Sequence, residues 1–443
     1  MSRHLLPLAV VLMPLLAQAQ TVSTPADRLG LQLTVTQGDL ATVRDRRSIS
    51  LDKGALDLTI EGVAREARIG TATLVAPGVS VREQGFVADT LAADTLLARS
   101  LGREVAVVWR DGDKEERAKV LAAGPVPVFQ IGNRVVAGQP ARLLFDALPT
   151  GLGALPSWRA AIASEAAGKR EAELTYLTGG LSWQADYAAE LGDDKLTLSA
   201  WATIMNQSGA DYPAAQLRVV AGNANQAPGL RRDAKVMMAA MAEPAREAAG
   251  IHHLYTIPQP VTLLAGESRQ VALLPPAQVA VEKVLVLDPQ PPHVWRSPWG
   301  EPDVRHPQQQ LRFRNNLGKP LPAGIVRVMA QGVLQGEDRL AATPDGAPAR
   351  LTLGEALDLT ARRSQTDFQR VAPEISEAAW EVRLANGGDK PAKVQVREAF
   401  GGEWLVIDES DKHLRDGAQG AAWTVSVPAK GETVLKYRVR VKG

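Results

Sequence analysis

The chain of 443 residues contains no cysteine, so it can build neither a disulfide framework nor a thiolate metal site. An acylated N-terminal cysteine is excluded on the same ground, which removes the lipoprotein class. Aromatic residues make up only 5%, whereas an outer-membrane barrel needs aromatic girdles around lipid-facing strands of about 9–11 residues. That class is set aside. A charge excess of one sign is missing too, with 50 Lys and Arg against 49 Asp and Glu. A nucleic-acid binder presents a basic face, and no run along this sequence supplies one. Beyond the first residues no uncharged apolar stretch approaches the ~20 residues of a membrane-spanning helix.

What is present begins with Arg3 and His4, an apolar run from Leu5 to Leu16, and Ala17-Gln18-Ala19. This order of basic, apolar and small-residue segments is that of a secretory leader, with cleavage expected after Ala19. The mature chain would start at Gln20 in the periplasm, without an integral membrane span. Loss of Arg3 with the leader brings the 50 basic residues level with the 49 acidic ones.

Apolar residues then alternate along much of the chain, the period of half-buried strands. Leu31, Leu33 and Val35 alternate, as do Leu56, Leu58 and Ile60. The pattern returns in Trp183, Ala185, Tyr187 and Ala189, and in Leu196, Leu198, Ala200, Ala202 and Ile204. Near the end it recurs in Trp380, Val382 and Leu384, in Val394 and Val396, in Trp423, Val425 and Val427, and in Leu435, Tyr437, Val439 and Val441. Turn chemistry separates these runs, as in Gly179-Gly180, Gly192-Asp193-Asp194 and Asn386-Gly387-Gly388. The expected fold is all-β and mostly antiparallel, made of several β-sandwich or small-barrel modules with a few short helices.

Its expected parts are a β region over 20–90, a small SH3-like barrel over 91–146 entered by a short helix at Asp94 to Ser100, and a central β region over 156–222. A helix over Ser157 to Lys169 is expected to lead into the central region. A linker or exposed helix follows over 223–250, where Met237, Met238 and Met241 could present a partner surface. A β-sandwich region fills 251–443, interrupted by the Pro-rich segment Asp288 to Pro307, because proline gives no ladder donor.

No catalytic motif is assembled in the sequence. Ser182 follows Gly179-Gly180 but lacks the glycine of a nucleophile elbow, and Gly168-Lys169 lacks the earlier glycine of a phosphate loop. Adjacent His252 and His253 point to opposite faces of a strand and cannot readily share a metal. Asp111, Asp113 and Glu115 resemble a calcium loop, but Glu116 stands where the sharp turn needs glycine, so a hairpin turn is expected. The carboxylates Glu337 and Asp338, or Glu381 and Glu398, could serve acid–base chemistry on sugars only if brought face to face. Trp295 and Trp299, in the Pro-rich segment, are hard to bury and suit a glycan or peptide surface. Trp183 and Tyr187 share one strand face and either pack in the core or line a groove.

The run Glu173-Leu-Thr-Tyr-Leu-Thr-Gly-Gly-Leu-Ser-Trp-Gln-Ala-Asp-Tyr187 resembles the hallmark of the exported bacterial domain-of-unknown-function family 4139, which includes the mucoidy-inhibitor-like proteins. Similar matches are Asn206-Gln207-Ser208-Gly209 with Asp211-Tyr212, Leu217 to Gly222, His253 to Thr256, Leu321-Pro322-Ala323-Gly324, Gly336 to Arg339 and Tyr437 to Arg440. The resemblance implies an all-β envelope protein and brings no reaction, cofactor or catalytic residues. The chain departs from the mucoidy-inhibitor-like branch in having no sustained heptads for a coiled-coil rod.

The reading that follows is a non-enzymatic binding or scaffold protein for an envelope protein or a polysaccharide, with Trp183, Tyr187, Trp295 and Trp299 as binding candidates. No cofactor, metal or nucleic acid is expected. One alternative is a glycan or cell-wall hydrolase using paired carboxylates. Another is an assembly factor whose sheet edge pairs with client strands. The sequence does not give the oligomeric state.

Overall fold

A computed structural model describes residues 19–88, 91–110, 114–147, 149, 152–222, 248–249, 252–288 and 304–442. The chain forms two units, Met1–Trp183 with Ile204–Arg269 and Gln184–Thr203 with Gln270–Gly443. The strands Leu181–Leu191 and Lys195–Asn206 carry the chain from the first unit into the second and back.

The first unit contains three sheets. One orders Ala19–Ser23, Gly54–Glu61, Ser157–Ser164 and Val79–Val87, with the first pair parallel and the others antiparallel. A second orders Ala248–Ala249, His252–Thr256, Tyr212–Ala221, Arg28–Thr36, Ala41–Leu51, Gly168–Thr178 and Thr73–Val75. Here Arg28–Thr36 runs parallel to Tyr212–Ala221, placing Leu33 beside Leu217. The third sheet is antiparallel, in the order Arg134–Ala137, Val128–Ile131, Glu115–Ala122, Glu104–Val108 and Arg142–Leu144. It has its own core of Val105, Val107, Ala118, Val120 and Phe129, and Leu97 of the helix Ala93–Arg99 packs into it.

Two expectations are corrected here. The segment Ser157–Ser164 is a strand, not the start of a helix. Its alanines favour helix, but Trp158, Ala160 and Ile162 alternate into the core while the backbone pairs with a strand on each side, so tertiary pairing overrides local propensity. The regions 20–90 and 156–222 are also not separate modules. Arg28–Thr36 and Ala41–Leu51 lie between Tyr212–Ala221 and Gly168–Thr178 in one sheet.

The second unit packs two sheets face to face. In one, the strand order is Val333–Leu340, Gly324–Ala330, Leu181–Leu191, Lys195–Asn206, Ser268–Leu287, Ala392–Ala399, Gly420–Val427 and Leu414–Arg415, with Gln308–Arg314 and Pro348–Glu355 branching from the long strand Ser268–Leu287. The other orders Val304–Arg305, Leu359–Ala372, Ile375–Asn386, Gly431–Lys442 and Glu403–Glu409. Alternate residues of both sheets meet in one core, with Trp380, Val382 and Leu384 and with Leu435, Tyr437 and Val439 facing Val394, Val396, Trp423 and Val425. Burial of each such side chain stabilises the fold by about 1.5–3 kcal/mol. The fold class is all-β, and every alternating row read from the sequence is buried.

Candidate functional site

The hallmark residues prove to be parts of the scaffold. Trp183 is 1% exposed and donates Nε1–H to the Val220 carbonyl at 2.9 Å, with its ring edge-on to Tyr255. Tyr187 is also 1% exposed and donates its hydroxyl to the Pro322 carbonyl at 2.7 Å. Both rings are buried with their polar atoms hydrogen-bonded to backbone carbonyls. Gly180 adopts φ +72°, and a Cβ there would meet the Ser208 backbone at 2.6 Å, so glycine is required twice over. Gly324 is opposite Ala185 in a parallel pair, where a Cβ would meet the Ala185 carbonyl at 2.2 Å.

The carboxylate pairs do not face each other. Glu337 is bound by Arg327 at 2.8 Å, while Asp338 accepts from the backbone N–H groups of Arg339 and Thr352. Glu381 is paired with Lys436 at 2.8 Å on the solvent side. Glu398 is 3% exposed in the core beside Arg363 at 2.7 Å. Burial pushes the Glu398 carboxyl up, and Arg363 and Tyr437 pull it back only in part. The Arg363 guanidinium also stacks 3.6 Å over the Trp380 ring, as a structural cation on an aromatic face.

The remaining candidates of the sequence divide by position. His253 lies exposed on the strand His252–Thr256. Trp295, Trp299, Asp111, Asp113, Met237, Met238 and Met241 lie outside the described residues. Among the described residues no cluster of three or more His, Asp or Glu has the grouping to hold a metal. A third feature is His413, whose ring sits 5.9 Å from Trp404 and 5.8 Å from Trp423. Glu409 Oε2 accepts from His413 Nδ1 at 2.8 Å and from Trp423 Nε1 at 2.9 Å. These groups satisfy one another and close one side of the core.

Among the described residues are two concave sites of about 260 Å³ each. The first unit's is lined by Gly30, Leu31, Gln32, Arg44, Arg46, Glu173 and Gln216. Its charges are already engaged, with Arg44 on Glu173 at 2.8 Å and on Gln32 at 3.2 Å, and Arg46 on Glu171 at 3.2 Å. The second unit's cavity is more polar, lined by Val286, Asp288, Val304, Arg305, His306, Gln308 and Glu355.

Strand pairing builds this second site. Val286 and Gln308 are opposite each other, Gln308 is also opposite Glu355, and Arg305 is opposite Ala361. Arg397 holds one wall by binding Asp288 Oδ1 at 2.9 Å and Asp416 Oδ2 at 2.6 Å. Arg305 Nη1 donates to the Asp288 carbonyl at 2.9 Å. His306 Nδ1 lies 2.7 Å from the Leu359 carbonyl, which can only accept, so Nδ1 carries a proton. The Arg305 Nε and Nη2 groups, the Gln308 amide and the Glu355 carboxylate have no partner among the described residues. No sequence motif marked these groups, because they lie apart along the chain between residues 286 and 355. The only signal was the Pro-rich segment Asp288 to Pro307 itself, whose residues Asp288, Val304, Arg305 and His306 line the cavity.

No curated protein matches the chain. The family described as domain of unknown function (DUF4139) matches over residues 172–442. That span takes in the hallmark strand, the residues of the polar cavity and the whole C-terminal sandwich, more than half of the sequence, and the chain belongs to the DUF4139 family.

Proposed function

We propose that the protein is an exported binding or scaffold protein of the cell envelope, and that the polar cavity of its second unit contacts a hydrophilic envelope partner, either a polysaccharide or a protein. The observation that carries this reading is the set of hydrogen-bonding groups in that cavity without a partner among the described residues, namely the Arg305 fork, His306 Nε2, the Gln308 amide and the Glu355 carboxylate. Groups so placed give orientation and specificity to a ligand in a small, preformed site. Glu381 and Glu398, bound to separate cations, give a hydrolase no opposed carboxyls to work with.

The test is capture from cross-linked periplasm together with glycan-array binding, comparing the native protein with a folded Arg305→Glu, Glu355→Lys double variant. Native-specific retention of a glycan or an envelope protein is expected. Equal retention by both forms, or by neither, would sink the reading. The export step is checked separately by the mass of the mature chain, which should begin at Gln20.

A further inference from the structure

Deepening the binding reading of the same cavity, and resting on it, we infer that its ligand element is a small zwitterion, a molecule or polymer terminus carrying a primary ammonium and a carboxylate within one short span. The argument starts from charge. Arg305 and Glu355 line one cavity of about 260 Å³ and carry opposite charges, yet they form no ion pair with each other. Among the described residues, Arg305 Nε and Nη2 and the Glu355 carboxylate have no hydrogen-bond partner.

The Arg305 geometry narrows the anion. Its Nη1 is committed to the Asp288 carbonyl at 2.9 Å, which leaves Nε and Nη2 as the side edge of the guanidinium. Two parallel N–H groups on that edge match a carboxylate in a bidentate fork. The opposing requirement is set by Glu355, an acceptor-only group once ionised, which calls for a cationic donor. A simple carboxylate would engage the Arg305 edge but leave Glu355 without a donor, and a neutral sugar would supply a counter-charge to neither, although Arg305 already feels the buried Glu398 at a distance. A zwitterion satisfies both at once, while His306 Nε2 and the Gln308 amide remain for a hydroxyl or peptide group.

Asp288 does not compete for the ligand cation, because Arg397 holds it at 2.9 Å. Val286 and Val304 supply the apolar part of the wall. The volume lies below the ~300–1,000 Å³ of drug-sized sites, which suits one amino acid or the end of a short peptide.

The experiment is an NMR titration of the full mature protein with D- and L-alanine, N-acetylalanine, alaninamide and glucose. Either alanine enantiomer is expected to shift resonances of His306 and its strand neighbours, with the two blocked analogues at least tenfold weaker. In Glu355→Gln the penalty for acetylating the amine should disappear. In Arg305→Lys, which keeps the charge but loses the fork, the penalty for amidating the carboxylate should shrink. Alanine binding no tighter than its blocked analogues, or selectivity unchanged in both folded variants, overturns the zwitterion. Shifts with glucose alone would overturn it while leaving the cavity a binding site. Silence from every probe at millimolar concentration would overturn the zwitterion and leave the binding reading to the capture and glycan-array test.

Discussion

Asp45 and Arg47 are each 1% exposed, and their ion pair of 2.7 Å lies where the strand Ala41–Leu51 meets the sheet of Ala19–Ser23 and Gly54–Glu61. Arg47 also donates to the carbonyls of Ser23 at 3.0 Å and Glu61 at 2.7 Å, while Arg28 adds a second cation to Asp45 at 3.2 Å. Removing one partner of such a pair strands a buried charge, at a cost of about 3–5 kcal/mol. Asp45→Leu, which strands Arg47, is expected to lose stability on that scale in urea unfolding, whereas exposed pairs such as Arg383 with Glu432 should contribute almost nothing. Glu409 makes a different prediction. Burial pushes its carboxyl up, but the His413 and Trp423 N–H donors outweigh that and hold it below its ordinary value. A carboxyl lowered on folding stabilises the native state above its unfolded value, and that stability is lost as pH falls through the folded value. Unfolding free energy should therefore drop as pH falls below about 4.3, and Glu409→Gln should show a shallower acid slope than the native chain.

At the level of elements, one corner is used three times. Asn206, Asn315 and Asn386 each end a strand region and are at most 5% exposed. Each donates its amide to the carbonyl four residues on, of Ala210 at 2.9 Å, Lys319 at 2.9 Å and Lys390 at 2.8 Å. Each also accepts from the backbone N–H two residues on, of Ser208, Leu317 and Gly388. The side chain thus closes an Asx-type turn into the next strand. Replacing Asn206 or Asn315 by alanine leaves buried carbonyls unpaired and should cost about 1–3 kcal/mol each in denaturant unfolding. A loss near zero would show that water reaches those carbonyls. This corner also marks what the sequence could tell. The rows of Leu196 to Ile204 and Leu435 to Val441 were legible because strand periodicity needs only local spacing. Asn206-Gln207-Ser208-Gly209 was visible as a motif, but its likeness to Asn315-Asn316-Leu317-Gly318 was hidden by differing neighbours. The strand Ser157–Ser164 was hidden by its alanines, and the cavity by being assembled from residues far apart in sequence.

On the scale of the whole molecule, the family match and the folding unit have different limits. The match covers residues 172–442, yet Arg28–Thr36 and Ala41–Leu51 are the neighbours on which Tyr212–Ala221 and Gly168–Thr178 depend. A fragment of 172–442 would bare Leu174, Leu217 and Val219 along two unpaired edges, the condition for edge-to-edge association. It should elute as aggregate in size-exclusion chromatography while the mature chain gives a discrete peak. A soluble fragment with native hydrogen-exchange protection at Leu217 would contradict this. The strand Ala19–Ser23 has a consequence in time. It lies parallel to Gly54–Glu61, with Gln20 opposite Asp57 and the Ser23 carbonyl held by Arg47. A processing peptidase grips extended, unpaired backbone, so under the proposed cleavage the bond after Ala19 can be cut only before this strand docks. Trimming and sheet closure then run as a race, and a preprotein that closed first would keep its leader for good.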